Sequence, residues 1–364
     1  MVVVGTRPEV IKMAPVVRAL SQRPERFAVE LCVVGQQGAV LEQSLDEWGL
    51  RPTVRVDLPS FDRGLGATLS AILAAVAGHL ADRRPDLVLV QGDTTTTLGA
   101  SLAAFYAQVP LAHVEAGLRT GDPSQPFPEE AHRVLTGRLA TVHYAPTTQA
   151  RDHLLAEGCA EGSVVVVGNT VIDALRAVEV VETPQPPGGR RRVLVTCHRR
   201  ENFGEGVRGL CEALLRVTRA RPDVEVVYVL HPHPGACEPV RALLGDAPGV
   251  RLLEPMGHRE FIGLLTSAWL VVTDSGGVQE EAAALGRPLL VTRRSTERPE
   301  AVRGGTARMV GTRAEDLVDA ISTLLDSPAS YDRMSHPVDT LGDGRASHRI
   351  ADDLHARFGG SRCP

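Results

Sequence analysis

Short, nearly uninterrupted Val/Leu runs recur along this chain, and stretches of helical period separate them. This alternation constrains the fold more than any other feature. Strands with so little polar alternation must be covered on both faces, as in parallel sheets flanked by helices. The strands read from sequence are Val2–Val4, Val29–Val34, Leu87–Val90, Leu111–Val114, Thr141–Tyr144 and Val164–Val167, then Val193–Thr196, Val224–Leu230, Val250–Leu253, Trp269–Thr273 and Leu289–Val291. Helical patterns lie between them, for example Val10–Leu20, Gly66–Ala81, Val207–Ala220 and Val278–Leu285. Alternating strand and helix predicts an α/β protein with doubly wound parallel sheets.

At 364 residues the chain is long enough for two such domains. One compositional break divides it, Glu182-Thr183-Pro184-Gln185-Pro186-Pro187-Gly188-Gly189, where prolines stop regular structure. The predicted division is an N-terminal domain over 1–180, a linker over 181–192, a C-terminal domain over 193–345, and a helix and tail over 346–364. Where the tail helix, Ala346–Phe358, packs is not visible from sequence.

The same features exclude several function classes. A net charge of -5 carries no basic surplus for nucleic acid, so an anionic ligand must be met by local groups. The longest apolar runs are strand-sized, and no membrane partner is expected. The opening Val2-Val3-Val4-Gly5 reads as strand and turn, and does not resemble a signal peptide. The six cysteines are scattered without a CxxC pair, which predicts reduced thiols in a cytoplasmic enzyme, with no disulfide framework and no zinc. His231-Pro232-His233 has no evident Cys or carboxylate partner, and no metal is expected there.

The polar residues cluster at the carboxyl ends of the strands, where open α/β sheets bind ligands. Gly5-Thr6-Arg7-Pro8-Glu9 follows the first strand, with Lys12 one turn on. It lacks the GxxxxGK[ST] of a Walker loop, and Thr6 as helix cap with Pro8 in the first turn is the plain alternative. Ser275-Gly276-Gly277 joins a strand to a helix, so its free amides and the helix dipole favour an anion. A Gly-rich turn capped by Ser275 is the alternative. Arg298 lies close downstream, and Glu281 stands where it could accept from ribose hydroxyls. Asp93 and Glu115 end consecutive strands, and Glu129 follows Pro126-Phe127-Pro128 at a helix start. Each alone has a structural explanation, as a cap or a dipole partner. Three carboxylates at one sheet edge suit proton transfer. His198 ends a strand before two arginines and is the strongest histidine candidate.

Ordered strings through the chain resemble the non-hydrolysing bacterial UDP-N-acetylglucosamine 2-epimerases. They are GTRPEVIKMAPV (Gly5–Val16), QGDTTTTLGASLAAFY (Gln91–Tyr106), HVEAGLRTGD (His113–Asp122), PFPEEAHR (Pro126–Arg133), GNTVIDAL (Gly168–Leu175), HRRENFGEG (His198–Gly206), TDSGGVQEEAAALGRPLLV (Thr273–Val291) and TERPEAV (Thr296–Val302). The resemblance implies a GT-B-like fold, two Rossmann-like domains facing a central cleft, and a cytoplasmic homodimer.

It also implies that UDP-GlcNAc and UDP-ManNAc interconvert through loss of UDP to 2-acetamidoglucal and its re-addition. That chemistry needs neither cofactor nor metal. Asp93, Glu115 and Glu129 become the acid/base candidates, and His198 lies by the diphosphate. Arg7, Lys12, Ser275, Gly276, Gly277 and Arg298 would hold phosphates, Glu281 ribose, and Phe261 would lie near uracil. Arg133 and His231 are further contacts. A hydrolysing 2-epimerase and a GT-B glycosyltransferase share the fold, and fold alone does not separate them. The carboxylate set and PFPEE favour epimerisation over transfer, and over a non-enzymatic UDP-sugar sensor.

The chain departs from the family pattern at three points. Many members carry Gln-His-Arg, a polar residue and Met after the second strand, contributing to a second, regulatory UDP-GlcNAc site. Here the stretch is Gln36-Gln37-Gly38-Ala39-Val40, so activation by substrate is expected to be weak or absent. His132 stands where the family has Asn. Relative to the family the first strand is expected to be clipped.

Overall fold

The computed structural model describes residues 1–35, 39–58, 64–338 and 341–359. The chain forms two compact units, one of Met1–Ala177 with Thr340–Pro364, the other of Val178–Asp339. The N-terminal unit holds seven strands, β1 (Val2–Val4), β2 (Leu31–Val34), β3 (Val54–Val56), β4 (Val88–Gln91), β5 (Leu111–Val114), β6 (Val142–Ala145) and β7 (Val164–Val166). They pair in parallel in the order β3-β2-β1-β4-β5-β6-β7. The C-terminal unit holds six, β8 (Arg191–Thr196), β9 (Val224–Val229), β10 (Val250–Leu253), β11 (Leu270–Thr273), β12 (Leu289–Val291) and β13 (Ala307–Met309). Their order is β10-β9-β8-β11-β12-β13, again parallel. Both units are Rossmann-like sheets, as the alternation predicts.

The central strands are buried on both faces: Val2, Val3 and Val4 in one unit, Val193, Leu194 and Val195 in the other. Helices close each face, so the inward side chains of these stretches are apolar and their run is unbroken. In each sheet the strand order reverses once, between β1 and β4 and between β8 and β11. A crevice opens beyond the strand ends at such a reversal. The fold therefore fixes one crevice per unit.

The structure differs from the sequence reading at four places. It adds β3 and β13, the outer strands of their sheets. Each is three residues long with an arginine at its centre, Arg55 or Arg308, exposed on the solvent side. A half-solvated edge strand shows no apolar run. The stretch 181–192 is not a free linker, because β8 begins at Arg191. Its arginines find acids on and just before the next strand: Arg192 Nε lies 3.1 Å from Glu225 of β9, and Arg191 pairs with Asp223 in the turn that precedes it.

The tail helix, Ala346–Phe358, belongs to the N-terminal unit. Its first amides, Ala346 N and Ser347 N, donate to Asp173 at 3.1 and 2.8 Å, which caps the helix from a distant segment. Finally, the helix Leu65–Arg83 is long and apolar enough to cross a membrane by length and composition. Glycines, serine and threonine interrupt it in sequence, which hid its apolar length. Ile72, Val76 and Leu80 enter the core, where Gly99 of the helix Thr95–Tyr106 permits close approach.

Candidate active site

In the N-terminal unit the first turn is built around Glu9. Thr6 caps the helix Arg7–Ser21, with Pro8 in its first turn, and Glu9 Oε2 accepts from Thr6 N at 2.7 Å and Gly5 N at 2.9 Å, a capping box. Glu9 Oε1 accepts from Thr94 Oγ1 at 2.6 Å and Thr97 Oγ1 at 3.1 Å, so one carboxylate ties the end of β1 to the end of β4. Burial pushes the Glu9 carboxyl up, and these hydroxyl and amide donors oppose the shift. Arg7, half-buried, begins the helix beside this knot.

Asp93 and Glu115 end adjacent strands, and each is held by its own cation. Arg133 donates to Asp93 Oδ2 at 2.6 Å, while Lys12 Nζ lies 2.5 Å from Glu115 Oε2 with both groups buried. Arg133 is itself buried and lies 3.1 Å from Glu130, which accepts from the amides of Thr120 and Gly121. His132 Nδ1 meets the Asp93 carbonyl oxygen at 3.0 Å, and since a carbonyl only accepts, Nδ1 carries the proton. The helix Glu129–Leu139 thus grips Asp93 by both side chain and backbone. Glu129 stands one turn before His132 and Arg133, on the same helix face.

Backbone conformation marks the same edge. Glu115 has φ of +63°, a left-handed conformation costing a non-glycine residue about 1 kcal/mol or more. Such strain persists only where the surroundings impose it. Gly92, at φ +73°, turns the chain after β4, and His113 Nε2 holds its carbonyl at 2.7 Å.

In the C-terminal unit the carboxyl ends of β8 and β11 meet at Asp274, which is wholly buried. Its oxygens accept from His198 N at 3.1 Å, Arg199 N at 2.9 Å, Asn202 Nδ2 at 2.9 Å and Cys197 Sγ at 3.2 Å. Burial alone would raise this carboxyl, but His198 and these donors hold it below the usual range. The His198 ring stacks on His231, with centroids 5.4 Å apart. Burial, then His198 and His233, push the His231 imidazole down to about 4.

Ser275 caps the helix Gly276–Ala284 and is itself fixed by Thr273 Oγ1, which accepts from Ser275 N at 2.9 Å. A Cβ on Gly276 would fall 2.5 Å from Arg298 Nη1, so glycine lets the guanidinium lie close against the loop. No such contact faces Gly277.

The structure brings Lys12, Asp93, Glu115, Glu129 and Arg133 to one sheet edge. It brings His198, His231 and Ser275–Gly277 to the other unit's reversal point. Three expected ligand contacts are occupied by protein. Lys12 sits on Glu115. Arg298 Nε lies 2.7 Å from Glu280 and Nη1 pairs with Glu297, beneath the Gly276 turn. Glu281 meets His258 Nε2 at 2.8 Å. Phe261 is buried in the helix His258–Ser267. Gln36 and its neighbours through residue 38 lie outside the described residues. The sequence reading gave no role to Glu9, although Thr6-x-x-Glu9 is a recognisable capping box, nor to Asp274, Glu280, Glu297 or His258.

A family model described as UDP-N-acetylglucosamine 2-epimerase matches residues 18–355. The UDP-N-acetylglucosamine 2-epimerase of Salmonella typhimurium is 44% identical over 365 residues, covering 97% of either chain. A crystal structure of UDP-GlcNAc 2-epimerase from Neisseria meningitidis bound to UDP-GlcNAc superposes with a TM-score of 0.92 at 36% identity, covering 98% of this chain and 99% of that one. One from Methanocaldococcus jannaschii, in complex with UDP-GlcNAc and UDP, gives 0.84 at 30% identity, with 98% and 99% covered. Matched from end to end in sequence and in fold, the chain belongs to the UDP-N-acetylglucosamine 2-epimerase family.

Proposed function

We propose that this chain is an isomerase that interconverts UDP-GlcNAc and UDP-ManNAc without releasing free sugar. The observation that carries the proposal is the pair of carboxylates, Asp93 and Glu115, ending adjacent strands with a separate buried cation on each. The C2 proton of the sugar is weakly acidic, and its removal needs a positioned base. As that proton leaves, the C2 electron pair forms a C1–C2 double bond, and the C1–O bond to UDP breaks. UDP then adds back to C1 after a proton reaches the opposite face of C2. Two directions of approach call for two groups, and Asp93, Glu115 and Glu129 are the three candidates for them.

UDP is assigned to the C-terminal unit. Its growing negative charge would be met by the Ser275–Gly277 amides at a helix N-terminus and by His198. Lys12 and Arg298 act through carboxylates, holding Glu115 and the Gly276 turn. Glu281 would share ribose with His258.

Incubation with UDP-GlcNAc in deuterated water tests this. The expected result is UDP-ManNAc carrying deuterium at C2, in equilibrium with labelled substrate. Accumulating UDP and N-acetylmannosamine would overturn it for the hydrolysing reaction. Absence of exchange would overturn both.

We also propose that substrate activation is weak, because Gln37-Gly38-Ala39 replaces the His-Arg pair and the following polar residue of the regulatory motif. Initial rates with UDP-GlcNAc are expected to be hyperbolic, and UDP-ManNAc alone should react from the first turnover. Sigmoidal rates, or a stall with UDP-ManNAc alone, would contradict this.

A further inference from the structure

We infer that Asp274 is the positioning residue for His198, fixing its imidazole as a cation whose Nε2–H serves the diphosphate. The inference rests on the placement of His198 at the diphosphate proposed above.

Asp274 lies at the point where the strand order of its sheet reverses, and its carboxylate is completely buried. An ionised carboxylate has roughly four acceptor sites and no donor. Here they receive two backbone amides, the Asn202 amide and the Cys197 thiol, all from the loop after β8. His198 Nδ1 adds a fifth, longer contact, 3.3 Å from Oδ1. One side chain therefore sets both the backbone and the ring of His198.

The ring's charge follows from donor and acceptor logic. Because Nδ1 faces an acceptor, it carries a proton. A neutral ring would then present a bare Nε2 lone pair to a phosphate oxygen, which repels it. Only the imidazolium offers a donor on both sides, one to Asp274 and one to the diphosphate. The stacked His231 does not compete for the charge. Its Nδ1 accepts from His233 N at 3.2 Å, and burial holds it neutral down to about pH 4.

The other titratable or charged groups around the pair are Cys197 and Arg199 on the same loop, Tyr228 on β9, Cys211 on the helix Glu205–Ala220, and His233. Burial pushes Cys197 and Tyr228 well up and Cys211 up to about 12, so these three stay neutral through the working range. Asp274 is thus the anion that sets His198.

The kcat–pH profile tests the inference. In the parent enzyme activity should fall on the alkaline side as His198 loses its proton, and His198→Asn should lack that limb. Asp274→Asn should lower kcat about tenfold or more and move the limb at least one pH unit lower. Asp274→Glu, which keeps the anion, should hold the limb near its parent position whatever its kcat. A purely structural Asp274 would change kcat without moving the limb, and that result overturns the inference.

A second measurement needs no Asp274 variant. Imidazole nitrogen NMR of histidine-labelled parent enzyme with UDP bound should show both His198 nitrogens protonated at neutral pH, assigned by loss of the signals in His198→Asn. An unprotonated Nδ1 would overturn the inference. Should the parent enzyme fail to epimerise, the functional proposal falls, and the same spectra still decide the Asp274–His198 pairing.

Discussion

Asp93→Asn is expected to lower kcat about a thousandfold, the middle of the range for loss of a general acid or base, while UDP affinity changes less than a few-fold. Asparagine keeps the shape of the side chain and still accepts one hydrogen bond from Arg133. Arg133 keeps Glu130 at 3.1 Å, so no buried charge is stranded. His132 holds the residue 93 carbonyl whatever the side chain. The lost function is proton transfer.

Glu115→Gln should be as inactive but less stable, because Lys12, buried at 5% exposure, loses the carboxylate 2.5 Å from its ammonium. Breaking a buried ion pair costs about 3–5 kcal/mol when one partner is removed outright, and less when an amide oxygen remains in its place. Deuterium incorporation at C2 by proton NMR, UDP titration calorimetry and a thermal melt separate these effects. Near-normal exchange in both variants would remove the two carboxylates from the acid/base role.

The contrast between Lys12 and Asp93 shows what the sequence could reveal. Strand ends are legible because parallel strands buried on both faces leave unbroken Val/Leu runs, and the first polar residue after each run marks the crevice. Asp93, Glu115, His198 and Ser275 are read as strand-end residues in this way, and the structure sets each just beyond a strand. Pairing is not legible. The Lys12–Glu115 contact spans 103 positions, the Arg133–Asp93 contact 40 and the His198–Asp274 contact 76. A lysine near a strand end therefore reads as a free phosphate-binding cation, although its ammonium is set on a carboxylate. The partners of Arg298 are hidden for the same reason, since Glu280 and Glu297 engage it from within a buried network. Two of the four edge strands escape for a different reason: β3 and β13 are three residues long, and the exposed arginine at the centre of each erases the apolar signal.

Acid should unfold the N-terminal unit well before pH 4, through two histidines that play no part in catalysis. His113 on β5 and His143 on β6 are register partners in adjacent strands, and both are buried. Burial pushes His113 down to about 3, and the neighbouring His143 pushes it further in the same direction. Burial, then Arg119, push His143 down to about 4. Neither Nδ1 has a protein hydrogen-bond partner, so a proton added there would be buried unsatisfied.

The folded-state pKa lies below the unfolded value in both cases, so the unfolded chain binds more protons below about pH 6.5. Stability is then complete above that pH and declines as pH falls toward 4 and 3. At pH 4.5 the two together cost about 5 kcal/mol, comparable to the whole stability of many domains. In the C-terminal unit Asp274 acts later, its contribution being lost only below the ordinary carboxylate pKa of 3.8.

The chain's two tryptophans fall one in each unit, Trp48 and Trp269, so single Trp→Phe variants report the units separately. Urea midpoints followed through Trp48 should drop between pH 6.5 and 4.5 with uptake of about two protons on unfolding, and His143→Phe should remove about one of them. A Trp48 midpoint independent of pH over that range would show that these histidines accept protons in the folded sheet.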